Sequence, residues 1–238
     1  MNPPAASVWL DAWERGMSAP PVRRPAVLLE AMHGQEAQPA AWPLGRREAA
    51  VLSLRAALFG NFLESLATCP QCSGTVEFTL DAEDLLRTAP VVPAENVNVA
   101  AAGHSAAFRL PDTHDLEAVA GIPASHRPRF LLQRCLLADS LPAHTWPDEF
   151  LAAAAQRMAD ADPLGDITLA LTCPDCAHAW DAPFDSGDFL WSELHAWAGR
   201  LMSEIHVLAA TYGWTEPEIL ALPPHRRRFY LERSAAQP

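Results

Sequence analysis

Four of the five cysteines stand in two short matching motifs, Cys69-Pro70-Gln71-Cys72 and Cys173-Pro174-Asp175-Cys176. A tight CPxC turn presents two sulfurs from one hairpin tip. Two such tips supply the four thiolates that a tetrahedral structural zinc ion takes. A closed set of four leaves no coordination position for a catalytic water. Structural Zn2+ on Cys69, Cys72, Cys173 and Cys176 is therefore the expected cofactor. Two disulfides, or knuckles that hold no metal, are the alternatives, and His178 is close enough in sequence to replace one ligand. A thioredoxin-like redox pair fits less well, because that chemistry places the CxxC at a helix N-terminus to depress a thiol pKa. Here the first motif leads into the alternating segment Thr75–Leu80.

The two motifs belong to an internal repeat. A shift of 104 residues aligns Thr68 with Thr172, Cys69 with Cys173, Pro70 with Pro174 and Cys72 with Cys176. The same shift aligns Leu80 with Phe184, Asp81 with Asp185, Asp84 with Asp188 and Leu86 with Leu190. In each copy a strand-like segment leads from the knuckle to an Asp-x-x-Asp helix start, where Asp caps the orphan amides and meets the positive end of the dipole. The separation is wide: 100 residues lie between Cys72 and Cys173, against about 15–20 in ordinary zinc ribbons. The intervening residues read as a helical insertion between two half-ribbons.

The elements that position these motifs are mostly helical. Residues 7–17 form an amphipathic pattern with Ser7 as N-cap. A short helix follows near Ala26–Met32, then a clearer one from Arg46 to Phe59, ended by Gly60. Val97–Ala101 and Ala106–Leu110 read as a hairpin around Gly103. Helices are expected around Asp115–Ala120, Pro128–Leu137 and Pro147–Asp160, and a strand at Ile167–Leu171. Leu190, Leu194, Trp197, Leu201, Ile205, Leu208 and Tyr212 recur at helical spacing and mark one face of a long helix, with Gly213 as its C′ residue. Thr215-Glu216-Pro217-Glu218 is a capping box, and His225–Arg233 a final helix. The first 40 residues are expected to order in part only on binding.

Other reactive side chains read as packing or surface. Cys135, within Phe130–Leu137, behaves as a small core hydrophobe. His195 and His206 stand 11 residues apart, roughly 16 Å along a helix, too far to share a metal. No GxSxG, HExxH, P-loop or GxGxxG pattern occurs. Trp191 and Trp214 in an aromatic-rich segment, and the run Arg226, Arg227 and Arg228, are the candidate partner surface. The arginines equally suit a solvated helix face, and the aromatics a core.

Bulk composition narrows the class. The formal net charge is −12, and all 17 basic residues are arginine. An acidic chain is a poor binder of nucleic acid or of an anionic membrane surface. No signal peptide pattern and no apolar run of about 20 residues is present. A cytoplasmic location, or a particle assembled there, is expected.

Several segments carry a resemblance: Pro43–Ala49, Ala57–Gly60 running into Leu66–Pro70, Phe108–Pro111, Ala170–Pro174, and above all Tyr212–Leu220 followed by Arg226–Leu231. From residue 43 on, the chain resembles a family of baseplate-associated proteins of contractile phage tails and phage-tail-like injection systems. The resemblance implies a non-enzymatic baseplate component or assembly factor whose partners are other baseplate or tail proteins, with no small-molecule substrate. A zinc-ribbon nucleic-acid-binding module is the alternative reading. The fold class expected is α+β and mostly helical. Residues 1–60 form an N-terminal helical segment. Residues 61–87 and 166–187 form two half zinc ribbons sharing one site. Residues 88–165 form an inserted hairpin with helices, and residues 188–238 a C-terminal helical unit.

Overall fold

The computed structural model describes residues 4–89, 94, 96–137 and 146–234. The fold is α+β and mostly helical; its described strands form three two-stranded antiparallel sheets. No described helix is long and apolar enough to cross a membrane.

The N-terminal and C-terminal helices share one core. Helices α1 (Ala6–Ser18), α2 (Arg24–His33) and α3 (Leu44–Phe59) pack with the long helix α8 (Ser186–Tyr212) through Trp9, Leu28, Leu29, Val51, Leu54, Leu190 and Leu194. Helix α8 ends where Gly213 adopts φ 68, the left-handed cap conformation open to glycine. Beyond it, α9 (Glu216–Leu220) and α10 (Pro224–Ser234) fold back on α8 around Leu201, Leu208 and Ile219. The early residues pack into the body of the chain: Trp9, Leu10, Ala12, Ala26, Leu28 and Leu29 are buried. Their partner surface is α8, some 180 residues later, which a local reading cannot supply. Ala5, not Ser7, is the N-cap of α1, and no side chain caps that end.

The insertion has its own core. Strands β3 (Asn96–Ala101) and β4 (His104–Arg109) form the hairpin, and helices α5 (Thr113–Val119), α6 (Arg127–Cys135) and α7 (Asp148–Ala161) follow. Val97, Val99, Phe108, Leu132, Cys135, Trp146 and Phe150 fill its centre. Residues 90–93, 95 and 138–145 of this stretch lie outside the described residues. Polar bonds tie the insertion to the N-terminus of α3: Leu44 donates its N–H to the Pro111 carbonyl at 2.9 Å, and Gly45 donates to Asp162 Oδ2 at 2.8 Å. A Cβ at Gly45 would lie 1.8 Å from Asp162 Oδ1, so any side chain there would have to displace the carboxylate that accepts the Gly45 N–H.

One charged node holds the insertion together. Asp115, fully buried, accepts from Arg109 Nη1 and Nη2 at 2.5 and 2.9 Å and from Arg134 Nε at 2.9 Å. Burial alone would push its carboxyl up; the Arg109 bonds, the Asp112 amide and Arg134 outweigh it and hold it at about 2. A carboxyl lowered in the folded state stabilises above its unfolded pKa and loses that contribution as pH falls through the folded one. Stability is therefore expected to decline between about pH 4 and about pH 2. In Asp115→Asn this acid-dependent step should be largely absent, which urea titrations across that window would read. Cys135 packs against the same node, with Arg109 Nη1 at 3.9 Å and Asp115 Oδ2 at 3.8 Å. Burial, then the Asp115 charge, pushes its thiol up to about 12. It is a core residue, and its alkylation is expected only on unfolding, which thiol counting with and without urea would check.

Candidate metal centre

The two knuckles are the tips of two hairpins built on the same plan. Strands β1 (Phe62–Thr68) and β2 (Thr75–Asp81) form the first, and β5 (Thr168–Thr172) and β6 (Ala179–Pro183) the second. At each tip the first cysteine closes the turn. Cys69 donates its N–H to the Gly74 carbonyl and accepts from the Ser73 N–H, both at 2.9 Å. Cys173 donates to the His178 carbonyl at 2.9 Å and accepts from Ala177 at 3.0 Å. Ser73 and Ala177 both adopt left-handed φ, 61 and 57. Every one of these positions is related to its counterpart by the same 104-residue shift. The shift continues to the helix starts: Asp81 caps α4 (Ala82–Leu86) by accepting from the Glu83 N–H, and Asp185 caps α8 by accepting from the Asp188 N–H.

It also continues inward, and at Leu63 and Ile167 it runs beyond the segments aligned from sequence. Leu63 and Ile167 are counterparts, as are Leu80 and Phe184, and Leu85 and Phe189. All six pack in one cluster with Leu52 of α3, beneath the two hairpins. Val76 and its counterpart Trp180 pack beside the cysteines. The repeat is thus a pair of half-ribbons set on α3, and its shared core brings together tips that the sequence holds far apart. The signal for these contacts was present in the alignment, which could have been carried further outward.

The four sulfurs form one cluster. Cys69, Cys72, Cys173 and Cys176 each offer one Sγ, and all lie within 4.8 Å of one another. Two separations run between the knuckles: Cys69 to Cys176 at 3.7 Å and Cys72 to Cys173 at 3.6 Å. All four cysteines are free thiols. A tetrahedral ion with metal–sulfur bonds of about 2.3 Å would separate its sulfurs by about 3.8 Å. The cluster can therefore hold a metal ion. Cys69 and Cys173 are buried, Cys176 is half-buried and Cys72 is exposed. The tips touch at Gly74, where a Cβ would lie 2.7 Å from Asp175 Oδ2 and 3.3 Å from Cys72 Sγ.

Backbone amides prepare the first thiolate. Burial pushes the Cys69 thiol up, but the amides of Cys72 and Gln71 and the thiols of Cys72 and Cys176 outweigh it and bring it down to about 7. Cys72 goes the other way. The Gly74 amide alone would lower it, but its bonds to the other three thiols push it up to about 12. The His178 ring is not among the clustered ligands and stacks on Trp180 at 6.2 Å, while its backbone serves the site: its carbonyl closes the second knuckle and its amide donates to the Cys176 sulfur.

Of the remaining site candidates, Trp191 and Arg227 are withdrawn from the surface and the others are not. Trp191 is buried, with the Arg24 guanidinium 4.7 Å over its ring. Arg227 is buried too and pairs with Glu204 at 3.2 Å. Arg226 and Arg228 are exposed, and Arg228 pairs with Glu232 on its own helix. Trp214 is half-buried, stacked on Tyr212 and edge-on to Tyr230, both at 4.8 Å. His195 accepts from Trp13 Nε1 at 3.1 Å on the surface of α8.

No family model, no curated protein and no solved structure matches the chain.

Proposed function

We propose that this chain is a non-enzymatic structural or assembly component of a contractile phage-tail-like baseplate, stapled by one structural zinc ion and working through protein–protein contacts. The observation that carries the reading is the four-thiolate cluster joining two copies of a repeat across the insertion. Four thiolates fill a tetrahedral zinc ion, and the binding energy of such an ion is folding energy. Zinc in this place fixes the two half-ribbons, and through Asp81 and Asp185 the angles of α4 and α8. Rigidity between distant segments is what an assembly part needs.

The baseplate reading draws on the resemblance of the C-terminal segments. Those segments form one packed unit: Tyr212, Trp214 and Tyr230 make mutual ring contacts, and the Tyr212 hydroxyl donates to the Tyr230 carbonyl at 3.2 Å. The net charge of −12 speaks against the nucleic-acid alternative. The test is co-purification: the tagged chain is expected with baseplate or tube proteins, in finished particles or in their assembly intermediates. Its absence from both, or a salt-sensitive shift of DNA or RNA at moderate salt, would count against the reading.

A further inference from the structure

Strand β1 carries a row of side chains that its own hairpin does not need. Phe62 and Leu66 are 65% and 69% exposed, the two most exposed of the large hydrophobic residues among the described ones. The repeat supplies an internal control. The counterparts of Phe62, Glu64 and Leu66 in the second hairpin are Asp166, Thr168 and Ala170, which are also exposed. That hairpin has the same register and turn without large apolar groups at these places. Neither the hairpin nor the metal cluster therefore requires Phe62 and Leu66.

The same residues stand on a free backbone edge. Cys69 donates to Gly74, and Ala82 donates to Asn61. These bonds put the odd positions of β1 in the ladder with β2, so alternation turns the N–H and C=O groups of Phe62, Glu64 and Leu66 outward. Arg55 takes the Phe62 carbonyl at 2.7 Å. The outward groups of Glu64 and Leu66 have no partner among the described residues. Such an edge is a template for another strand.

Alongside this edge runs an open groove of about 1070 Å³, with Phe59, Leu169, Phe184 and Phe189 among its apolar lining. Its charged lining is four carboxylates, Glu64, Asp185, Asp188 and Glu193, against one guanidinium, Arg55. Arg55 is already bound bidentately to Glu193, at 2.9 and 2.7 Å. Glu64, Asp185 and Asp188 have no cation at ion-pair distance among the described residues. The occupant that complements this lining is extended, apolar and basic.

We propose that the β1 edge and its groove dock an extended segment of a partner protein that alternates apolar residues with arginine or lysine, adding to β1 as a further strand. This rests on the reading of the chain as a protein-binding assembly component and says where the contact is made. Backbone bonds to Glu64 and Leu66 would give affinity, and alternate side chains would read the apolar lining and its carboxylates. A second copy of this chain is the weaker candidate, because two chains of charge −12 repel.

The test presents the full-length protein to a displayed library of random peptides of about ten residues, long enough to run along a strand of this length. Selected peptides are expected to alternate apolar and basic residues. A labelled selected peptide should bind at least ~10-fold more weakly to Phe62→Thr/Leu66→Ala, which removes the apolar row. It should also weaken with Glu64→Gln, which is exposed and leaves the core intact, and with added salt. Unchanged metal content and melting temperature would show that the double variant folds. Enriched peptides that bind parent and variants alike, acidic peptides, or no enrichment at all would overturn the proposal. So would a parent that is dimeric where the double variant is monomeric, which would assign the groove to a second copy. If the double variant still co-purifies with baseplate proteins as the parent does, the docking surface fails while the assembly reading stands. Absence of the parent itself from the particles counts against that reading and not against the peptide result.

Discussion

Cys72→Ser and Cys173→Ser are each expected to abolish stoichiometric zinc binding and to lower the melting temperature by about 10 °C or more. The pair is chosen for the contrast in burial. Cys173 is 1% exposed, so its replacement disturbs packing as well as ligation. Cys72 is exposed, so its replacement removes little buried surface. If the site is a metal staple, both variants fall by similar amounts, because three thiolates hold the ion far less firmly than four. The loss should spread to the cluster of Leu52, Leu63, Ala82, Leu164 and Ile167, which depends on the two hairpins standing together. Calorimetry with metal analysis of the same samples reads both effects. A Cys72→Ser protein that melts like its parent would show that the cluster adds nothing to the fold.

The second large effect is expected at Arg47. Its guanidinium donates to Glu48 at 2.9 and 2.6 Å and to Thr113 Oγ1 at 2.9 Å, and both members of the ion pair are buried. Glu48 also accepts from the Ser186 hydroxyl, at the start of α8. This node joins α3, α5 and α8 a short distance from the half-ribbons. Arg47→Met leaves a buried carboxylate without its cation, a change that costs about 3–5 kcal/mol in comparable sites. The pH dependence identifies the cause. Burial already pushes the Glu48 carboxyl up, and Arg47 is the largest influence opposing it. Without Arg47 the folded pKa stands further above the unfolded value. Protonation then favours the folded state, so the variant should regain stability as pH falls and lose it as pH rises through the folded pKa. The double variant Arg47→Met/Glu48→Gln should recover much of the loss. Urea midpoints at about pH 5 and about pH 8 decide the matter; a deficit independent of pH would point to lost packing instead.

Much of the centre was legible because the repeat is strict. One shift of 104 residues located the cysteines and both helix-capping aspartates, and the structure extends it to Leu63 and Ile167. The stripe from Leu190 to Tyr212 fixed the long helix and the cap at Gly213. What sequence did not show depends on partners far away in the chain. Trp191 lies beside the stripe, on a face of α8 that α1 and α2 cover; a Cβ on Gly16 would come within 2.3 Å of its ring. Arg227 looks like one of three solvated arginines, yet Glu204 on α8 draws it inward. Asp115 and Glu48 look like scattered acids until the fold brings Arg134 and Ser186 to them. Strand β1 carries no reading of its own in the sequence beyond its place in the first half-ribbon, and the exposure of Phe62 and Leu66 stands out once the second hairpin is laid over the first.

The most direct test of the central claim is native mass spectrometry of the protein purified without added metal, before and after acid denaturation. One zinc ion per chain, retained in the folded protein and lost on denaturation, is the predicted result. A folded chain of apoprotein mass, with the four knuckle cysteines free or disulfide-linked, would contradict it.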